Sequence, residues 1–170
     1  HQRTHSDANA FAAGMMQKPV LGFIGAGKVG HTLARLWYSR GYTVRVIYSR
    51  TETAAIALAE HVGATVADSP MAVVDAADLT LLTVPDDAIV SVVRVLSQSF
   101  AARPSALSEN GAAAKAVIHT SGALDIGVLS RLSELGLMVG SLHPAFPFAD
   151  VETAVAGLPG ATFGVEVNTD

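Results

Sequence analysis

Short apolar runs and amphipathic stretches alternate along this chain. Val20-Leu21-Gly22-Phe23-Ile24 is apolar throughout and ends in glycines, which predicts a strand buried on both faces. Over residues 28–40, Val29, Leu33, Leu36 and Trp37 fall on one helical face, and Gly41 supplies the stop. Residues 43–48 are β-branched and aromatic and predict a second strand. An alanine-rich helix over 53–62, closed by Gly63, leads to a short third strand at 64–66. Ser69-Pro70 reads as a cap followed by proline at the first helical position, opening a short helix that runs to Ala77. A fourth strand follows at 79–84, ended by Pro85. Asp86 is placed to cap the next helix, which carries Ile89, Val92, Val93 and Leu96.

Residues 101–111 hold proline, serine and asparagine and read as a surface loop. A fifth strand is predicted at 116–119, a helix at 123–135 stopped by Gly136, and a sixth strand at 137–142 that ends at His143-Pro144. A further strand is placed at 161–167. Strands alternating with helices predict an α/β fold, doubly wound around a mainly parallel sheet. Right-handed crossovers then place a ligand at the carboxyl ends of the strands.

Composition narrows the chemistry. The 170 residues suit one domain with a core of its own, and half of them are apolar. The expected division is a flexible leader over 1–17 and a single nucleotide-binding domain over 18–170. The net charge of −4 gives no footprint for nucleic acid. Cysteine is absent, which excludes disulfides, thiolate zinc sites and thiol nucleophiles. No apolar run is long enough to cross a bilayer, and the leader is not organised like a signal peptide. A cytoplasmic location and no membrane partner are the expectations. No metal is expected either, since His119 and His143 alone do not make a ligand set.

The richest motif is Gly25-Ala26-Gly27-Lys28-Val29-Gly30, a G-x-G-x-x-G between a buried strand and an amphipathic helix. That context makes it a Rossmann-type dinucleotide-binding turn. Gly25 allows the tight turn, Gly27 lets a pyrophosphate approach the backbone, and Gly30 lets the helix pack closely on the strand. Lys28 either adds charge near the phosphates or is solvated. The tip of the second strand reads Tyr48-Ser49-Arg50-Thr51, where NAD-binding domains usually carry a carboxylate for the ribose hydroxyls. Ser49 and Thr51 can donate to a 2′-phosphate, and Arg50 can pair with it or stack on adenine. NADP(H) is therefore favoured over NAD(H).

Redox chemistry also needs a nicotinamide pocket and a proton partner. Three strand tips face the crevice: Thr83-Val84-Pro85-Asp86-Asp87, His119-Thr120-Ser121-Gly122 and Ser141-Leu142-His143-Pro144. Thr83, Val84 and Pro85 are expected beside the cofactor. His143 is the first candidate for the acid/base group, held on a rigid turn by Pro144; the alternative is a structural histidine bonded to the backbone. Ser121 either orients a substrate or caps the following helix. His119 is read as buried, Asp86 as a cap, and His31 as either helix surface or close to phosphate.

These motifs, with Ala88-Ile89 extending the second and Ala123-Leu124 the third, occur in the order of the Rossmann-like NADP oxidoreductases that carry a second, helical C-terminal domain of unknown function. The chain resembles that family from about Lys18 to its end. More distant resemblances are to pyrroline-5-carboxylate reductase, deazaflavin-dependent NADP reductase, ketopantoate reductase and the 3-hydroxyacid dehydrogenases. Prephenate dehydrogenase is similar in its histidine-proline pair and in a serine after its fifth strand. By position, that resemblance implies catalytic and substrate-binding roles for His143 and Ser121. In these families a helical domain follows, shapes the substrate pocket and often forms a dimer. The resemblance thus implies the cofactor half of an NADP-dependent oxidoreductase with that domain missing, acting on a small carbonyl, imine or hydroxy acid and forming a homodimer through the missing part. Two alternatives stay open: a non-catalytic NADP(H) sensor or scaffold, and a domain for another adenine-containing ligand such as S-adenosylmethionine.

Overall fold

The computed structural model of the protein describes residues 17–103 and 115–168. Residues 1–16 of the leader expected over 1–17, and most of the expected loop at 101–111, lie outside these residues. Seven strands form one sheet in the order β3-β2-β1-β4-β5-β6-β7. They are β1 (Leu21–Ile24), β2 (Val44–Tyr48), β3 (Thr65–Val66), β4 (Leu79–Leu82), β5 (Ala116–His119), β6 (Met138–Ala145) and β7 (Thr162–Val167). The first six run parallel, and β7 returns antiparallel against β6. The doubly wound order expected from the alternating pattern is therefore the one found. Its direction reverses at β1, which lies between β2 and β4, and a crevice opens beyond the strand ends there.

Alternation along the strands builds a core on each face of the sheet. Leu21 and Phe23 of β1 and Leu81 of β4 point to one face. They meet α1 (Lys28–Ser39) through Leu33 and Ala34, and α2 (Glu52–Val62) through Ala55, Leu58 and Val62. Ile24 and Leu82 point to the other face. They join Val73 and Val74 of α3 (Pro70–Ala76), Ile89, Val93 and Leu96 of α4 (Asp86–Ala101), and Leu132 of α5 (Ser130–Glu134). Phe23 is fully buried, so Phe23→Ala would remove about 3–5 kcal/mol of stability. The last helix, α6 (Val151–Gly157), packs on α1. Among the described residues, no helix is long and apolar enough to cross a membrane.

Three local expectations need correction. The helix placed at 123–135 is a 3₁₀ turn over Ile126–Leu129 followed by α5 alone. The Asp125 carboxylate accepts the Gly127 N–H at 2.8 Å and starts the turn there, so residues 123–125 stay outside it. Asp86 does not cap α4: Pro85 occupies that position with no side-chain bond, and Asp86 opens the helix itself. β6 does not stop at Leu142. It continues to Ala145 because β7 pairs with it, setting His143 opposite Gly164 and Pro144 opposite Phe163. His143 thus stands on a paired strand, where a rigid turn was expected.

His31 also settles. It packs edge to face against His61 of α2, with ring centroids 5.2 Å apart, and Arg35 one turn on pairs with Glu152 of α6. Burial, followed by the charges of His61 and Arg35, holds the His31 pKa below its ordinary value near 6.5; Glu152 works weakly the other way. The unfolded chain then takes up a proton that the folded chain resists, so stability should fall as pH drops through the ordinary histidine range. Melting temperature is expected to be lower at about pH 5.5 than at about pH 7.5, with a smaller drop in His31→Gln. An equal drop in that variant, measured by circular dichroism, would rule His31 out as the cause.

Candidate functional site

The glycine turn is locked against β4. Gly25 has φ +112°, where other residues are strained, and a Cβ there would lie 2.6 Å from the Thr83 carbonyl carbon. Thr83 is buried and its hydroxyl donates to the Gly25 carbonyl at 2.7 Å. A Cβ on Gly30 would lie 2.3 Å from the Gly25 oxygen and 2.6 Å from Thr83 Oγ1. Helix α1, its turn and β4 therefore meet with no room for a side chain. Gly27 is the opposite case, since a Cβ there would meet nothing within 4 Å. It stands at the N-cap of α1 with no side-chain cap bond, and the first helical bond runs from the His31 N–H to the Gly27 carbonyl. The amides of the first turn thus face open space beside a residue without a side chain, an arrangement suited to phosphate.

Three clefts run along the strand ends. The first has a volume of 410 Å³, within the range of small-molecule sites. Gly25, Ala26 and Gly27 form its floor, Ser49, Arg50 and Thr51 one end, and Thr83, Val84 and Pro85 the far wall with Ala88 and Val92. Ser49 Oγ accepts the Thr51 N–H at 3.2 Å, which folds the tip of β2 into the cleft. Glu52 opens α2 and does not line the cleft; Asp87 on α4 is the carboxylate that does. The middle cleft shares Gly27, Thr83, Val84 and Pro85 with the first and adds Lys28, Val29, Asp86, Thr120, Ser121 and Phe148. Lys28 is exposed there and its charge helps lower the Asp150 pKa, behind the larger effect of the Thr153 hydrogen bonds. The third cleft shares Ser121 with the middle one and adds Gly122, Ser141, His143 and Glu166.

His119 organises the loop that carries Ser121. Its ring is fully buried. Nδ1 accepts the Ser121 N–H at 3.2 Å, which leaves Nε2 to donate to the Asp125 carbonyl at 3.2 Å. Ser121 Oγ in turn accepts the N–H groups of Ala123 at 3.1 Å and Leu124 at 3.2 Å. Both readings of Ser121 are thereby compatible. Its lone pairs cap the loop, and its hydroxyl proton stays available. The buried reading of His119 holds, and its two bonds hold the loop between the middle and third clefts.

The structure brings His143 and Ser121 to one cleft, and all twelve of the expected cofactor positions except Lys28, Val29 and Gly30 to the first cleft. Lys28 and Val29 line the middle cleft, and Gly30 lies beneath the turn. Several lining residues escaped the sequence reading, Phe148, Gly164 and Glu166 among them, as did the role of Gly122. Phe148 follows β6 and stacks edge to face on Phe146 at 5.8 Å. Gly122 lies under the His143 ring, where a Cβ would come within 2.2 Å of Cε1. Glu166 and Gly164 come from β7, and only its pairing with β6 reveals them. Among the described residues, no group of three or more histidine, aspartate or glutamate side chains could hold a metal ion.

Residues 20–108 match the family described as NADP oxidoreductase, coenzyme F420-dependent, in agreement with the resemblance read from the four motifs. No curated protein matches the sequence. Among solved structures, the chain is similar to a pyrroline-5-carboxylate reductase from Coxiella burnetii, with 17% identity and a TM-score of 0.68 over 90% of this chain and 51% of that one. It is similar to the pyrroline carboxylate reductase of Plasmodium falciparum with NADP bound, with 19% identity and a TM-score of 0.60 over 91% of this chain and 50% of that one. It is also similar to an imine reductase from Myxococcus stipitatus in complex with NADP+, with 19% identity and a TM-score of 0.57 over 76% and 42%. At such identities the likeness is one of fold. The chain spans about half the length of the structures it matches.

The Gly122 contact gives a direct test of how His143 is held. In Gly122→Ala the new methyl should push the exposed imidazole aside. The His143 Hε1 resonance should shift, with melting temperature changed by less than about 2 °C. An unmoved resonance would mean the ring does not rest on Gly122 in solution.

Proposed function

Because this chain belongs to the family described as NADP oxidoreductase, coenzyme F420-dependent, we propose that it holds NADP(H) along its first and middle clefts, with the third for substrate, and takes part in hydride transfer to or from a small carbonyl, imine or hydroxy-acid substrate. The observation that carries this reading is the continuity of the clefts. Gly27, Thr83, Val84 and Pro85 join the first to the middle, and Ser121 joins the middle to the third. A dinucleotide laid over the glycine turn has its adenosine end at Arg50 and its nicotinamide end beside Ser121, one step from His143.

The residues divide the work by chemistry. The first-turn amides of α1 meet the pyrophosphate across the open face of Gly27, with Lys28 adding positive charge. Arg50, Ser49 and Thr51 receive the 2′-phosphate, and Ala88 and Val92 give the adenine an apolar wall. Thr120 and Phe148 bound the nicotinamide end. When bound, the nicotinamide gives or takes the hydride. His143 holds or releases the matching proton at an imidazole nitrogen, because histidine is the side chain that changes charge near neutral pH. Ser121 directs its free hydroxyl proton toward the substrate oxygen or nitrogen while its lone pairs stay committed to the loop.

Calorimetric titration with NADPH and NADH side by side tests the cofactor assignment. NADPH should bind more tightly, and Arg50→Ala should weaken NADPH about ten- to a hundredfold while leaving NADH nearly unchanged. Preference for NADH, or no binding of either, would overturn it. For the chemistry, His143→Ala should lower turnover on a panel of carbonyls, imines and hydroxy acids by about a hundredfold or more. Its affinity for NADPH should stay within about twofold of the parent. Undiminished turnover would remove His143 from the reaction.

A further inference from the structure

The third cleft carries a charge of definite sign. Its lining includes two carboxylates, Asp125 and Glu166, with His143 and the hydroxyls of Ser121 and Ser141. Among the described residues, none of the lining positions is a lysine or arginine. The two acids are not equivalent. Asp125 is committed to the Gly127 N–H at 2.8 Å. Among the described residues, Glu166 has a single side-chain partner, the Ser141 hydroxyl, at the long limit of 3.5 Å. Its carboxylate is exposed, so solvent solvates it and it stays available to a group entering the cleft.

Strand geometry aims that charge at the same space as His143. Directly opposed residues of an antiparallel pair share a face, as do alternate residues along each strand. Ser141 opposes Glu166 and His143 opposes Gly164, so all four stand on one face. Gly164 puts no side chain beside Glu166, and a Cβ there would meet His143 only at 3.9 Å, so the space between the carboxylate and the imidazole is open. A carboxylate substrate entering here would face two carboxylates and find no lysine or arginine. A cationic group would find a carboxylate and hydroxyl acceptors.

Resting on the oxidoreductase reading above, we propose that the substrate carries a positively charged nitrogen, an amine or protonated imine, and that Glu166 is its counter-ion. Of the substrate classes considered, this selects the imine. An imine nitrogen that takes a proton from His143 becomes cationic beside Glu166. Its carbon then accepts hydride from NADPH, the π pair passes to nitrogen, and the products are the amine and NADP+. The selectivity differs from that of a pyrroline-5-carboxylate site, whose substrate by its name bears a carboxylate.

The test uses the whole chain saturated with NADP+ and three five-membered probes: pyrrolidine as its ammonium ion, cyclopentanol and cyclopentanecarboxylate. Binding is read from the His143 Hε1 resonance. Pyrrolidinium should bind more tightly than cyclopentanol, and the carboxylate most weakly. Glu166→Gln should weaken pyrrolidinium about fivefold and leave cyclopentanol unchanged. NADPH affinity, far from the substitution, should hold within about twofold. Equal binding of the three probes, tighter binding of the carboxylate, or no effect of Glu166→Gln would overturn the inference while leaving the cofactor assignment intact. Failure to bind NADPH at all would overturn the oxidoreductase reading, and this inference with it.

Discussion

One contact holds the whole arrangement together: the Thr83 hydroxyl bonded to the Gly25 carbonyl at 2.7 Å, with Gly30 pressed against both. A single neutral hydrogen bond contributes only about 1 kcal/mol. Its importance lies in what it joins. On one side is the turn that aims the amides of α1 outward. On the other is the tip of β4, whose next residues, Val84 and Pro85, form the wall between the first and middle clefts. If the turn lifted away from β4, the amide cradle and the cleft wall would separate together. The glycines at 25 and 30 are needed because two backbones and a threonine already fill the volume. Gly27 is different: no protein atom fills the volume beside it, which is where the proposed pyrophosphate would lie.

That half of the site was legible from sequence because its logic is local. A strand, a turn and a helix fall within twenty residues, and each glycine has a task that spacing alone reveals. The tip of β2 was equally plain, since Ser49-Arg50-Thr51 follows its strand directly. The other half was read only in part. His143 and Ser121 could be nominated because each follows a predicted strand. Their surroundings could not, because β7 returns from more than twenty positions along the chain and its register is set by pairing with β6. A glycine under an imidazole and a carboxylate across the ladder leave no periodic signature. The same pairing explains why β6 runs on past Leu142, where local pattern placed a stop. The helix expected at 123–135 failed for a related reason. Ser121, Asp125 and the His119 ring satisfy the backbone donors and acceptors of that loop without a helix.

His119 shows how a buried polar group can serve a site without entering it. A buried imidazole with either nitrogen unpaired would cost free energy, so its two bonds fix both ring and loop. They place Ser121 at the junction of the middle and third clefts and set Gly122 where the His143 ring can rest on it. The acid/base candidate on β6 is therefore positioned by β5, through a loop whose shape depends on a histidine that touches neither cleft.

Among the described residues, cationic side chains are confined to one part of the crevice. Arg50 and Lys28, with the positive end of α1, offer anions partners in the first and middle clefts, although one carboxylate, Asp87 or Asp86, also lines each. Glu166 and Asp125 reverse the sign in the third. A dinucleotide phosphate and a cationic substrate nitrogen would each be drawn to its own end and repelled from the other. Both ends are open to solvent, so screening keeps these fields short-ranged and modest. They act on orientation more than on total affinity. The reversal coincides with Ser121, the residue shared by the clefts on either side. That is where the nicotinamide and the substrate would meet, so the change of sign and the place of reaction fall at the same residue.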